Sequence, residues 1–222
     1  MREKVLFSWS SGKDSAFALY ELKKDSRYDV TGLLTTVTEG YERISMHGVR
    51  TVLLEQQAEY MGMPLERVYI PKDSSNEKYE AAMKESLLRH KARGVSSIGF
   101  GDLFLEDLKI YREKRLAEVG LNAVFPLWKR DTRVLSREFI RLGFKAVVTC
   151  VDSQVLEGRF SGREYDEQFL AELPAQIDPC GENGEFHSFV YDGPIFNEPV
   201  RFNKGGVVVR DDRYYFCELM PM

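Results

Sequence analysis

The sequence predicts a doubly wound α/β domain followed by a smaller mixed α+β domain. Three observations carry that expectation. Short apolar, β-rich runs alternate with helical patterns of about 10–15 residues through the first half of the chain. Gly62 and Gly94 stand just past two of those helical patterns, where a chain leaving a helix turns away. Beyond Pro126 the rhythm stops and strand signals take over. Alternation of this kind implies right-handed crossovers and a parallel sheet covered on both faces.

Each element follows from its local pattern. Val5 to Ser8 reads as a short buried strand, and the segment after Lys13, with Phe17, Ala18 and Leu22 spaced three to four apart, as a helix. Strand Val30 to Thr36, helix Arg50 to Met61, strand Arg67 to Ile70 and helix Asn76 to Arg93 repeat the unit. Strand Ser97 to Phe100, helix Glu106 to Val119 and strand Ala123 to Phe125 complete it. Pro126 ends the last strand, so residues 1–126 are expected to form the first domain and 127–222 the second. The second holds a helix from Thr132 to Leu142, a strand from Ala146 to Val151 and an irregular stretch rich in Gly, Asp, Pro and Glu. Strands follow from Ser188 onward, with Val207 to Arg210 and Tyr214 to Leu219 forming a hairpin around Asp211 and Asp212. No low-complexity linker separates the two parts, which are expected to pack closely and form a cleft of the kind that takes ligands.

Composition excludes several classes. With 222 residues, 43% hydrophobic and 30% charged, the chain reads as an ordinary globular protein. A net charge of -4 and a pI near 5.6 argue against a broad basic surface, so nucleic acid is not an expected partner. Cys150, Cys180 and Cys217 show no C-x-x-C spacing, which fits neither a disulfide framework nor a zinc knuckle and points to a reducing compartment. The apolar stretch Val5 to Trp9 is too short for a signal-peptide core or a membrane span. A cytoplasmic location without membrane association is the expectation, and a homodimer is compatible with it.

The run Ser10-Ser11-Gly12-Lys13-Asp14-Ser15 falls between the first strand and the first helix, at the carboxyl edge where open α/β sheets take ligands. Small residues there let backbone N–H groups approach phosphate oxygens. The hydroxyls of Ser10, Ser11 and Ser15, the helix N-terminus and the Lys13 cation add to the attraction. The same residues could form a polar turn with a helix cap. Two better-known phosphate loops do not fit. G-x-x-x-x-G-K-[ST] would need Gly at Phe7 and Ser or Thr at Asp14, and no G-x-G-x-x-G follows the strand.

A second cluster, Gly181-Glu182-Asn183-Gly184-Glu185-Phe186-His187-Ser188, crowds two carboxylates, an amide and a histidine into one loop. Glu182 and Glu185 could hold magnesium, position an amine or accept its proton, and Asn183 could orient a substrate carboxylate or amide. His187 could be a base or hydrogen-bonded structure. Asp102, after Gly101 at a strand end, could meet a nucleotide or its magnesium, or belong to an ordinary turn. His47 and Arg50 precede the second helix, where Arg50 could contact phosphate or serve the helix end. Nothing in the sequence lowers the pKa of Cys180, so no thiol nucleophile is expected. Trp128, Tyr214, Tyr215 and Phe216 are expected to pack rather than to stack on bases.

The first run resembles the pyrophosphate loop S-G-G-x-D-S of the N-type ATP pyrophosphatases; Ser10, Gly12, Lys13, Asp14 and Ser15 match, and Ser11 stands where the first Gly usually is. The second, preceded by Asp178-Pro179-Cys180, resembles the G-E-N-G-E-F-H-[ST] signature of the diphthine–ammonia ligase family, whose first domain carries that loop. Gly99-Phe100-Gly101-Asp102 and Tyr191-Asp192-Gly193-Pro194-Ile195-Phe196 extend the resemblance over nearly the whole chain.

The resemblance implies a HUP-like, adenine nucleotide alpha hydrolase-like first domain with ATP and Mg2+ as cofactors. Pyrophosphate would sit on Ser10 to Ser15 and adenine near Leu34 to Thr36, touching Thr35. Gly101 and Asp102 would lie beside the nucleotide, and Asp14 and Asp102 towards the metal. A carboxylate would be adenylated with loss of pyrophosphate, and ammonium would supply the nitrogen that displaces AMP. Lys13, Asp14, Glu182, Glu185 and His187 would take part in that chemistry, while Gly181, Glu182, Asn183, Gly184, Glu185 and Ser188 would hold the substrate and close the cleft against water. The implied acceptor is diphthine on translation elongation factor two. Another carboxylate, a tRNA-modifying transferase sharing the loop, and a nucleotide sensor without turnover stand as alternatives.

Overall fold

The computed structural model describes residues 2–39, 43–44, 48–71 and 76–222; His47 lies outside them. In chain order the first part is β1 (Glu3–Ser8), α1 (Lys13–Lys24), β2 (Tyr28–Thr38), β3 (Arg43–Ile44), α2 (Thr51–Tyr60), β4 (Leu65–Ile70), α3 (Asn76–Ala92), β5 (Ser97–Gly99), α4 (Glu106–Glu118) and β6 (Asn122–Val124). Five strands run parallel in the order β4-β2-β1-β5-β6, and the two-residue β3 pairs antiparallel with the far end of β2.

Strand alternation assigns side chains to opposite faces. Val5 and Phe7 of β1 join Phe17 and Leu19 of α1 and Leu53 and Leu54 of α2 in one core. The intervening Leu6 joins Leu87 of α3 and Leu116 of α4 in another. Helices therefore cover both faces, which is the doubly wound arrangement expected. Gly62 and Gly94 end α2 and α3 at positive φ.

The second part holds α5 (Thr132–Arg141), β7 (Lys145–Asp152), α6 (Glu167–Glu172), β8 (Phe186–Asp192), β9 (Phe202–Arg210) and β10 (Tyr214–Pro221). Its antiparallel sheet runs β8-β7-β10-β9. Asp131 caps α5 by accepting from the N–H groups of Arg133 and Val134, one of the exchanges that satisfy orphan donors at a helix start. Asp211 and Asp212 both take positive φ, 52° and 48°, the sign that the two central residues of a type I′ turn require, and the N–H of Arg213 closes the turn on the Arg210 carbonyl at 3.0 Å.

Two local expectations need correction. The stretch read as irregular contains α6, which at six residues is too short to display a helical period. Strand β8 begins at Phe186, inside the polar motif, rather than at Ser188, because Phe186 is buried against Tyr165 and against Phe169 of α6, and Phe189 against Phe202 of β9.

The two sheets share one apolar core. Phe17 and Leu19 of α1 cluster with Phe139 of α5, Val147 of β7 and Phe189 of β8. Phe144 stacks on Phe139 at 4.8 Å and meets Tyr20 edge-on at 5.8 Å, pairs that each add roughly 0.5–1.5 kcal/mol beyond their buried area. This packing draws β8 against the N-terminus of α1 and brings the two polar motifs together. Among the described residues no helix is long and apolar enough to cross a membrane.

Candidate active site

The loop between β1 and α1 is held by its own hydroxyls and by the second part of the chain. Ser10 and Ser15 share a hydroxyl hydrogen bond at 3.0 Å, and Ser15 Oγ donates to the Gly12 carbonyl at 3.1 Å. The N–H of Lys13 donates to Ser188 Oγ at 3.2 Å. The N–H of Val190 donates to the Ser11 carbonyl at 3.0 Å. Ser11 itself adopts φ 69°, a left-handed conformation that side chains beyond glycine rarely take. The backbone thus keeps the shape that a glycine would supply at this position.

Lys13 is 3% exposed. Its ammonium donates to both Asp14 oxygens, at 2.8 and 2.7 Å, and to the Cys180 carbonyl, with the rings of Tyr165 and Phe186 about it at 5.6 and 5.5 Å. Burial on its own would lower the lysine pKa; the Asp14 carboxylate outweighs it and holds the ammonium charged. A cation expected to face phosphate therefore also anchors the second motif.

A cavity of about 460 Å³ opens over this loop. Ser10, Gly12, Lys13, Asp14 and Ser15 form one wall, with Gly101 and Asp102 beside them. Gly181, Glu182, Asn183, Gly184, His187 and Ser188 form another. Gly101 permits the close approach of the β5 loop to α1: a Cβ there would lie 2.8 Å from the Ser15 nitrogen and 2.9 Å from the Asp14 carbonyl carbon. Gly181 turns the second motif at φ 67°, where a Cβ would meet the Phe186 carbonyl oxygen at 2.9 Å.

Within that second wall the two glutamates differ. Glu182 accepts the N–H of Leu103 at 2.7 Å. Burial raises its pKa to about 7 against that hydrogen bond, and Asp14 and Asp102 add to the rise. Glu185 turns inward, accepting the N–H of Asp178 at 3.2 Å and the N–H and Nδ2 of Asn183 at 3.0 and 2.9 Å. It braces the loop and lies off the cavity wall. Burial, with Lys13 adding, brings His187 down to about 4, so its imidazole is neutral at physiological pH.

Other expected residues lie elsewhere. Thr35, 4% exposed on β2, and the buried Ser11 side chain are not on the cavity wall. Arg50 starts α2 and pairs with Glu218 of β10 at 3.5 Å. Burial pushes the Cys180 thiol well above its ordinary range, and its sulfur faces the Thr132 carbonyl at 3.5 Å. Asp102 is engaged by Arg112, Nε to Oδ2 at 2.7 Å, with the guanidinium 4.3 Å from the centre of the Phe100 ring.

Arg112 and Gln57 are the residues that sequence reasoning missed. Gln57 is fully buried in α2 and binds Trp9, Ser11 and Val190 at once. Its signal was present: Leu53, Leu54, Gln57 and Ala58 form the buried stripe of α2, and a lone polar residue in an apolar stripe needs partners.

The carboxylates that a magnesium ion carried in by a phosphate-bearing ligand would meet are Asp14 and Asp102, each paired here with a cation, Lys13 and Arg112. Among the described residues no group of three or more acidic, histidine or cysteine side chains could hold a metal alone. Asp14 and Asp102 nevertheless share the cavity wall, and magnesium held mainly by substrate phosphates takes only one or two carboxylates.

Residues 1–123 match the family model of the diphthamide synthase N-terminal domain, and residues 131–216 that of the diphthamide synthase C-terminal domain. The chain is similar to a diphthine–ammonia ligase of Danio rerio, 25% identical over 227 residues, covering 91% of this chain and 88% of the relative. It is 28% identical over 120 residues to a Homo sapiens diphthine–ammonia ligase, covering 52% of this chain and 45% of the relative. A Schizosaccharomyces pombe diphthine–ammonia ligase is 26% identical over 220 residues, 89% of this chain and 36% of the relative. The matched stretch is less than half the length of the latter two. With both family models matched in order along the sequence, this chain belongs to the diphthamide synthase family.

Proposed function

We propose that the chain is an ATP-dependent, AMP-forming carboxylate–ammonia ligase of the diphthine–ammonia ligase type. One observation carries the reading: the Ser10 to Ser15 loop and the Glu182 to Ser188 loop wall the same cavity, so an activated carboxylate formed over the first would meet the second without leaving.

ATP would lay its β and γ phosphates on the N-terminus of α1, where the Gly12 N–H, the Ser10 and Ser15 hydroxyls and the Lys13 cation attract negative charge. The acceptor carboxylate attacks the α phosphorus, an acyl-adenylate forms and pyrophosphate leaves. Ammonia then attacks the acyl carbon, AMP departs and Glu182 accepts the proton released. A carboxylate with a pKa near 7 suits that exchange with ammonium at neutral pH. Asp14 and Asp102 would hold magnesium, which when bound offsets phosphate charge. Residues 1–126 supply the nucleotide site in this reading and 127–222 the acceptor site. Diphthine is the acceptor that the relatives' names favour, and by the family resemblance it would be the modified histidine of translation elongation factor two.

The test is release of AMP and pyrophosphate from Mg-ATP with ammonium and diphthine-bearing elongation factor. AMP formed only with acceptor present is the expected result; ADP, or no AMP with any carboxylate offered, would sink the reading.

A further inference from the structure

Ser11 is left-handed, fully buried, and carries a hydroxyl with no hydrogen-bond partner among the described residues. Such a conformation persists only where the surroundings over-determine it. The Ser11 carbonyl receives two donors, the N–H of Val190 at 3.0 Å and Nε2 of Gln57 at 3.1 Å. The second donor is held in place by the rest of its amide: Nε2 also donates to the Val190 carbonyl at 2.6 Å, and Oε1 accepts Nε1 of Trp9 at 3.0 Å. Gln57 therefore ties the end of β1, the strained residue and strand β8 in one buried knot. None of its polar atoms faces the cavity, whose wall includes Gly12 and Lys13 but not Gln57.

We propose that Gln57 is a positioning residue that locks Ser11 in its left-handed state and thereby aims the Gly12 and Lys13 amides. Without it the Ser11 carbonyl keeps one donor, and the peptide plane can relax towards a conformation that suits a side chain, swinging the next N–H away from the cavity. The proposal rests on the reading of Ser10 to Ser15 as the nucleotide phosphate loop only for its effect on ATP; the effect on loop geometry stands apart from it.

A double-mutant cycle tests it, because a glycine at position 11 needs no lock. Gln57→Leu is compared in the wild-type background and in the Ser11→Gly background, reading hydrogen exchange at the Gly12 and Lys13 amides and ATP affinity by calorimetry. In the wild-type background, exchange is expected to rise and ATP affinity to fall by about tenfold; in the Ser11→Gly background both changes shrink to within roughly threefold, a coupling in the range found for residues in direct contact. Equal effects in both backgrounds overturn the proposal. So does a loss of melting temperature with exchange and affinity unmoved. Should Gln57→Leu not fold, Gln57→Met, which keeps the chain length, carries the same comparison. Failure of both to fold even in the Ser11→Gly background assigns Gln57 to the core and overturns the lock. Coupled exchange without ATP binding by any chain, wild type included, upholds the lock and sinks the nucleotide reading instead.

Discussion

The ammonium of Lys13 donates to the backbone carbonyl of Cys180, 167 residues further along the chain. One side chain thus joins the N-terminus of α1 to the loop that carries Glu182. Removing it deprives Asp14 of its cation, leaves the Cys180 carbonyl without its donor and takes a charge from the cavity. Lys13→Ala is expected to abolish AMP release and to lower stability by about 1.5–3 kcal/mol, the range for hydrogen bonds to charged groups. Lys13→Arg should not restore activity, because a guanidinium is too large for the slot between Tyr165 and Phe186. Thermal melts and AMP release together check both halves.

Glu182 is expected to set the pH dependence. Its pKa is about 7 in the folded chain against an ordinary value of 4.5. If the carboxylate is the proton acceptor, AMP-forming turnover should rise with pH through a midpoint near 7, and Glu182→Gln should lose both the rate and that limb of the profile. The stability consequence has the opposite sense. Between about pH 4.5 and 7 the folded chain retains a proton that the unfolded chain has released, so stability from this group is present on the acid side and is lost as pH rises through 7. Glu182→Gln, whose amide oxygen can still accept from Leu103, should gain of order 1–3 kcal/mol over wild type at pH 8. A variant less stable than wild type at that pH speaks against a raised carboxylate.

His187 acts with the other sign. Its folded pKa of about 4 lies below the ordinary 6.5, so the unfolded chain takes up the proton first and stability falls as pH drops from about 6.5 towards 4. His187→Gln should flatten that acid slope while leaving the turnover midpoint near 7 in place. Melting temperatures across pH 4–8 measure the first, and initial rates the second. A midpoint that moved with His187 would transfer the role of proton acceptor to it.

Gly101 keeps the loop after β5 against the start of α1. A methyl group there collides with backbone atoms of Asp14 and Ser15 rather than with a flexible side chain. Gly101→Ala is expected to lower stability by about 1–3 kcal/mol, as overpacking does, and to reduce ATP affinity at least tenfold by displacing the start of α1. Unchanged ATP affinity, measured by calorimetry, would mean that α1 tolerates the shift.

Much of the fold was legible because its signals are local. The alternation of Val5, Leu6 and Phe7 between two cores, the glycines after α2 and α3, and the two aspartates of the β9–β10 hairpin each act within a few residues. Helix α6 was missed because six residues hold too little of a helical period. In the site, residue types and their order singled out both polar loops, but Glu182 and Glu185 look alike in sequence and differ only in what surrounds them. One faces the cavity beside the Leu103 N–H; the other is consumed by Asp178 and Asn183.

By itself, then, the sequence determined the doubly wound domain, the serine-rich loop at its carboxyl edge and the second polar loop that faces it across the cavity. Tertiary structure alone decided that Lys13 is shared between the two loops, that Asp102 is paired with Arg112, and that Gln57 reaches Ser11 and Val190. The physical reason is range. Helix and strand preferences depend on neighbours along the chain, whereas a hydrogen bond depends on which distant backbone groups the shared core brings within about 3 Å.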